Sequence, residues 1–457
     1  MSEELTRMSA VRLVALMREG EVSPVEVMEA HLARAGRLNP QLNAVVTFEP
    51  DALEQARAAE RAIAEGGAPP LAGLPVTVKD TIDTRGVRTT SGSLARAERV
   101  PDEDAPAVAK LRAAGAIIFG KTNVSELALD YSCENPVFGR TLNPHDAART
   151  PGGSSGGCAA AVSTGLTPAS LGSDMTGSIR IPAHFCGVLG LKPTPASLDS
   201  RGHFPPVEGA CALAASLGPL ARTADDLELL FDALGDESGP GRVEPTLKGL
   251  RAAFYTDDGV APVTEETRLA VESAARALGE AGCEVVESRP PGVERGPEVW
   301  SRLFSRAVRG IVRETYAGRE ELCGPTARSL LEREPPALSR DDYLAAWRER
   351  DRLRAELVGW MKMSPLVVAP VGSVAAFEHG ARKVEVAGRT LPMFRAFGYS
   401  QTFNAYGLPA VSVPAGRTRG GLPVGVQIVG PPRAERLLLA AARAVERALG
   451  GWRPAPI

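Results

Sequence analysis

The sequence predicts an α/β protein in which helices are layered on a β-sheet within one large domain. Three observations carry that expectation. Amphipathic helical stretches alternate with short apolar runs, the pattern of a sheet buried beneath helices. No internal repeat and no linker-like stretch divides the 457 residues. Hydrophobic residues make up 44% and charged residues 23% of the chain, ordinary values for a folded soluble protein. A prior of about 150 residues per domain would suggest three domains, but single α/β domains can be much larger.

The first 21 residues read as a small, charged amphipathic helix without the ordered basic, apolar and small-residue regions of a signal peptide. Ser23-Pro24-Val25-Glu26 forms a capping box with proline at the first helical position, opening a helix to about Arg37. Residues 51 to 65 read as a second helix closed by Gly66-Gly67. A short buried strand, Leu74 to Val78, ends at Lys79. Residues 105 to 114 read as a helix and 116 to 119 as a strand. Thr223 caps a helix to about Leu234; a strand (250–255), a helix (265–282) and a strand (283–287) follow. The Arg- and Glu-rich stretch from 290 to 350 reads as mainly helical. A strand at 366–369, strands at 410–413 and 424–429, and a helix from 434 to 449 complete the chain.

Composition excludes several functions. A formal net charge of −3 gives no general basic field, so nucleic acid is not an expected partner. No apolar run reaches the roughly 20 residues of a membrane span. No membrane association and a cytoplasmic setting are expected. The six cysteines, 133, 158, 186, 211, 283 and 323, form no C-x-x-C pair and have no histidine at zinc-site spacing. They read as free buried thiols, and neither a metal nor a cofactor is expected.

Only seven of the 52 basic residues are lysines, and Lys79 is one of them. In a chain that uses arginine nearly everywhere, a lysine closing an apolar strand raises the question of what arginine could not do there. Lysine can lose its proton when buried; arginine cannot.

Residues 151 to 195 are dense in Gly, Ser and Thr but are threaded with apolar residues such as Val162, Leu166, Leu171, Ile179 and Ile181. This mixture predicts tight backbone packing around a site rather than a flexible linker.

Three segments stand out: Gly73 to Asp80, Gly152-Gly153-Ser154-Ser155-Gly156-Gly157, and Gly172 to Ala183. With Gly187 to Thr194, Gly218 to Thr223 and Gly407-Leu408-Pro409-Ala410, they resemble the amidase signature family, and the resemblance runs from about Ser9 to Gly450. It implies a mixed β-sheet core covered by helices on both faces. On that pattern 1–70 would supply N-terminal helices, 71–235 the catalytic core, and 236–457 the remaining sheet and the substrate-pocket region.

The resemblance further implies a Ser–Ser–Lys triad, with Ser178 as nucleophile, Ser154 as bridging serine and Lys79 as base, and a cis peptide between Gly153 and Ser154. The chemistry supports these roles. A serine hydroxyl needs a base within hydrogen-bond reach. A lysine serves only when neutral, and burial lowers its pKa. Backbone N–H groups of Met175, Thr176, Gly177 and Ser178 are expected to form an oxyanion hole. Ser155, Asp174 and Arg180 are expected to support the site. For Asp174 and Arg180, a plain structural ion pair accounts for the residues equally well. A Ser-His-Asp arrangement would need one of His31, His145, His184, His203 or His379; His184, six residues from Ser178, is the nearest in sequence. No Gly-x-Ser-x-Gly elbow surrounds Ser178.

The chain departs from the family pattern at Thr176, where glycine is usual. Glycine reaches positive φ freely, and a β-branched residue does not. If φ at 176 is negative, threonine fits and its side chain narrows or polarises the pocket.

The implied reaction is hydrolysis of a small-molecule carboxylic amide through an acyl-enzyme, without a cofactor. Residues 131 to 138 and the aromatic-containing region from 290 to 400 are expected to build the substrate pocket, leaving room for a partly apolar acyl or aryl amide. Two alternatives stay open. One is the glutamine-hydrolysing subunit of a tRNA-dependent amidotransferase; the other is a binding protein with an impaired site. A homodimer fits both the resemblance and the general frequency of two-fold oligomers.

Overall fold

The computed structural model describes residues 2–235, 245–332 and 338–457. Eleven strands form one mixed sheet. In spatial order they are Val45–Phe48, Ile117–Thr122, Pro75–Lys79, Ala169–Asp174, Ser216–Ala221, Leu189–Lys192, Ala410–Arg417, Pro423–Val429, Leu366–Pro370, Arg251–Phe254 and Glu284–Glu287. Pro75–Lys79 runs parallel to both its neighbours, and Arg251–Phe254 does likewise near the far edge. The strands between are antiparallel.

Helices cover both faces. Val76, Val78 and Leu171 point into the main core beside Val108 and Leu111 of helix Pro106–Ala113 and Leu227 and Leu230 of helix Ala224–Leu234. On the opposite face Phe119 packs against Met28, Ala52 and Ala56 from the N-terminal helices. The expected layered fold is therefore present. No described helix is long and apolar enough to cross a membrane.

Most expected elements appear within a residue or two. The capping box forms: Ser23 Oγ accepts from Glu26 N at 3.1 Å while Glu26 Oε2 accepts from Ser23 N at 2.8 Å. The helix it opens runs further than expected, Pro24–Leu42, and ends at Asn43 in the left-handed conformation. All six cysteines are free and buried. The expectation for 290–350 holds over the helices Gly296–Tyr316, Pro325–Glu332 and Arg340–Trp360, while 333–337 and the start of the 236–457 segment, 236–244, lie outside the described residues.

Four strands of this sheet did not stand out in the sequence: Val45–Phe48, Ala169–Asp174, Leu189–Lys192 and Ser216–Ala221. The last three lie in the middle of the sheet, buried throughout, so they lack alternation of polar and apolar residues. Helix Gly156–Ser163 is likewise buried all round, which removes the amphipathic signal.

This topology positions the site. Pro75–Lys79 and Ala169–Asp174 are parallel, with Val78 in register with Leu171, so Lys79 and Ser173 emerge together at the carboxyl ends of adjacent strands. Ligand crevices in parallel sheets lie at such ends. Side chains alternate along a strand, so Lys79 shares a face with Thr77, whose hydroxyl donates to Ser170 Oγ at 3.0 Å. Helix Gly156–Ser163 lies against this part of the sheet.

Candidate active site

Lys79 is closed to solvent. Its Nζ lies 2.7 Å from Ser154 Oγ and 3.0 Å from Ser173 Oγ, with the Ser173 carbonyl at 3.5 Å. Burial lowers its pKa to about 8, although Cys158, Asp174 and Cys133 pull the other way. At pH 7 roughly one lysine in ten is then neutral. Two of the residues singled out from sequence are thus brought into direct contact across 75 positions of chain.

The segment carrying Ser154 runs through a cis Gly153–Ser154 peptide into helix Gly156–Ser163. Position 153 admits only glycine, because a Cβ there would collide with the backbone carbonyl oxygens of Ser132 and Asp130. Ser155 joins this segment to the others: its N–H donates to the Ser178 carbonyl at 3.1 Å and its hydroxyl to the Ser173 carbonyl at 3.2 Å.

Ser178 is 5% exposed, and its hydroxyl makes no hydrogen bond among the described residues. Its loop is organised by a buried ion pair. Asp174 accepts from the backbone amides of Gly177 at 2.8 Å and Ile179 at 3.1 Å. Arg180 grips the same carboxylate with Nε at 3.0 Å and Nη2 at 3.1 Å. Burial opposes ionisation of Asp174, but the Arg180 charge and its hydrogen bonds outweigh it and hold the carboxyl well below the usual carboxylate range. Arg180 also donates to Gln427 Oε1 at 2.6 Å and to Asn404 Oδ1, tying the loop to strand Pro423–Val429 and helix Gly398–Ala405. The pair is at once a buried salt bridge and the anchor of two amides of the Ser178 loop.

The expected set of oxyanion donors needs one correction. The Gly177 amide is committed to Asp174 and does not point free into the site. The amides of Thr176 and Ser178 make no hydrogen bond among the described residues. The carbonyl of Met175 is anchored by Trp300 Nε1 at 3.0 Å.

The question posed by Thr176 is answered by the backbone. Gly177 takes the positive φ, 106°, and Thr176 is not among the residues with positive φ. Threonine therefore sits without left-handed strain, and its side chain is near the Tyr131 hydroxyl. Tyr131 also accepts from Gln401 Nε2 at 2.7 Å and packs its ring 5.1 Å from that of Phe397.

Aromatic residues expected in the pocket region divide between core and site. Phe304, Tyr316, Phe397 and Tyr399 are fully buried packing residues. Trp300 reaches the Ser178 loop, and the half-exposed Phe394 ring lies 5.2 Å from it.

His184 is not part of the site. Its Nε2 faces the Val374 carbonyl at 3.0 Å and its Nδ1 accepts from Gly425 N at 2.6 Å, which makes it a cross-brace of the core. The histidine that approaches the site is His203, whose Nε2 lies 2.9 Å from Ser173 Oγ. Neither His203 nor Ser173 was singled out from sequence as a site residue. The position of Ser173 one residue before Asp174 was the available signal for the serine; nothing local marks the histidine.

The amidase family profile matches residues 26–439. The chain is 37% identical to one of the subunits of the glutamyl-tRNA(Gln) amidotransferase of Thermus thermophilus, over 96% of this chain and 97% of that protein. Among solved structures, one described as an amidase superposes with a TM-score of 0.88 at 32% identity, over 97% of this chain and 100% of that one. A 6-aminohexanoate cyclic dimer hydrolase, solved with its substrate, superposes with a TM-score of 0.86 at 29% identity, covering 99% of each chain.

Proposed function

The chain belongs to the amidase family, and on that premise we propose that it hydrolyses a small-molecule carboxylic amide through an acyl-enzyme on Ser178. The observation that carries this reading is the 2.7 Å contact between Lys79 Nζ and Ser154 Oγ, both closed to solvent.

In this reading neutral Lys79 draws the proton from Ser154, which takes the proton of Ser178 as the Ser178 oxygen attacks the carbonyl carbon. The carbonyl oxygen gains negative charge and is met by the Met175, Thr176 and Ser178 amides, none of which has a hydrogen-bond partner among the described residues. On collapse the C–N bond breaks, and the proton held by Lys79 returns through Ser154 to the leaving nitrogen. Water, activated by the same pair, then cleaves the Ser178 ester and releases the carboxylate. Lysine suits the base position because its pKa can fall into the working range, whereas an arginine would stay charged. Trp300 at the loop, with the Phe394 ring packed on it and Tyr131 near Thr176, favours a partly apolar or aryl acyl group. The expected setting is cytoplasmic.

The test is labelling with a serine-reactive fluorophosphonate, with the adduct located by peptide mass spectrometry. Adduct at Ser178 that weakens in Lys79→Ala and Ser154→Ala supports the relay. No adduct at Ser178 in the folded protein overturns it and favours a binding role.

A second reading, glutamine hydrolysis as part of an amidotransferase, draws on the likeness to the Thermus thermophilus protein. Ammonia release from glutamine only on addition of partner subunits would establish it over the stand-alone reading.

A further inference from the structure

Ser173 lies between two basic groups. Its Oγ is 3.0 Å from Lys79 Nζ and 2.9 Å from His203 Nε2. The other ring nitrogen, Nδ1, lies 2.7 Å from the Pro205 carbonyl oxygen. A carbonyl oxygen can only accept, so Nδ1 carries the ring proton. Burial and the Lys79 charge hold the imidazole well below its ordinary pKa, which keeps the ring singly protonated. Nε2 therefore presents a lone pair, and Ser173 donates its only proton there. What Ser173 Oγ turns toward Lys79 is then a lone pair.

The consequence lies in how neutral Lys79 distributes two N–H groups and one lone pair. Charged Lys79 donates to all three oxygens; on losing a proton it keeps two N–H groups for the Ser173 hydroxyl and carbonyl oxygens, which leaves its lone pair for Ser154 Oγ, 2.7 Å away. A Ser173 hydroxyl free to turn would instead donate to that lone pair and compete with Ser154 for it. The histidine is firmly mounted: its backbone bridges Ile82, Phe204 N donates to the Thr81 carbonyl at 2.7 Å, and Asp83 N donates to the Gly202 carbonyl at 2.9 Å. The loop is thus pinned to the residues that immediately follow Lys79.

We propose that His203, acting through Ser173, is a positioning residue that fixes the order of protons in this chain and so aims the Lys79 lone pair at Ser154. The inference rests on the reading of Lys79 as the base.

The test is the rate of fluorophosphonate labelling at Ser178 as a function of pH, in the full-length protein and in His203→Ala, His203→Gln, Ser173→Ala and Lys79→Ala. His203→Ala is expected to lower the alkaline plateau roughly tenfold. It also moves the acid midpoint to lower pH, because the released Ser173 hydroxyl stabilises the neutral amine. Asp174, Cys133 and Cys158, the other ionisable groups acting on Lys79, are unchanged in this variant. His203→Gln places an acceptor oxygen near the position of Nε2 and restores plateau and midpoint. A His203→Ala profile matching wild type overturns the inference, as does a slower rate with an unmoved midpoint that glutamine fails to restore. If His203→Ala does not fold, Ser173→Ala decides: slow labelling supports the inference and wild-type labelling overturns it. Wild-type labelling of Lys79→Ala is a separate failure that removes the base reading itself.

Discussion

The Asp174 carboxylate accepts the Gly177 backbone amide at 2.8 Å, so the residue immediately before Ser178 is held by the same group that Arg180 neutralises. Position and charge in the Ser178 loop are therefore set by one buried pair. Asp174→Ala leaves the Arg180 guanidinium buried without its counter-ion, and the expected loss of stability is about 3–5 kcal/mol. Urea unfolding measures it, and an unchanged midpoint would mean the pair is dispensable. The sign with pH follows from the depressed carboxyl. Its stabilisation is fully present above the unfolded value of 3.8 and is lost as pH falls below that toward the lower folded value.

Burial brings Lys79 to about 8 from 10.5. Labelling at Ser178 should therefore climb as pH rises through about 8, when the amine becomes neutral. The folded value lies below the unfolded one, so the unfolded chain binds the extra proton between them. Burying Lys79 thus costs most stability below pH 8, and the cost is relieved as pH rises toward 10.5. Lys79→Arg, which stays charged, should abolish labelling at every pH, and activity in that variant would exclude Lys79 as the base.

Gly177 and Thr176 should respond oppositely to exchange of their special features. A Cβ at Gly177 would stand 2.7 Å from both Ile181 Cδ1 and Ser400 Cβ, at φ 106°. Gly177→Ala is expected to cost roughly 1–3 kcal/mol and to abolish labelling. Thr176→Gly relieves no left-handed strain and should cost about 0.5–1 kcal/mol through chain entropy. Its main effect should be on an amide library, widening the acyl groups accepted. An unchanged profile would mean the threonine side chain does not shape the pocket.

Ser155 works mainly through its backbone, since its N–H holds the Ser178 carbonyl. Ser155→Ala removes only the hydroxyl bond to the Ser173 carbonyl and should cost about 1 kcal/mol while labelling stays within a few-fold of wild type. Ser154→Ala should lose labelling with little change in thermal midpoint. Equal loss in both variants would place Ser155 in the relay.

Much of this was legible from the residue order. The helix caps, the far-edge strand Glu284–Glu287 and the residues near Ser178 were marked by local chemistry: a capping box at Ser23, glycine-dense turns, a lysine closing an apolar run. Those signals need only a few consecutive residues. The central strand Ala169–Asp174 was hidden because burial on both faces erases the alternation by which a strand is recognised. His203 was hidden for a different reason. No pattern within its own segment refers to Ser173, thirty positions earlier, and the contact arises only because the loop is pinned beside Ile82.

The sequence by itself determined the layered α/β class, the free thiols, the family resemblance and the three side chains proposed for the chemistry, because these depend on residue type and short spacing. Tertiary structure alone decided which amide in the Ser178 loop is already occupied, that Gly177 rather than Thr176 takes the positive φ, and that His203 rather than His184 approaches the site. Each is a matter of direction between groups far apart in the chain, and direction is set by packing across the sheet.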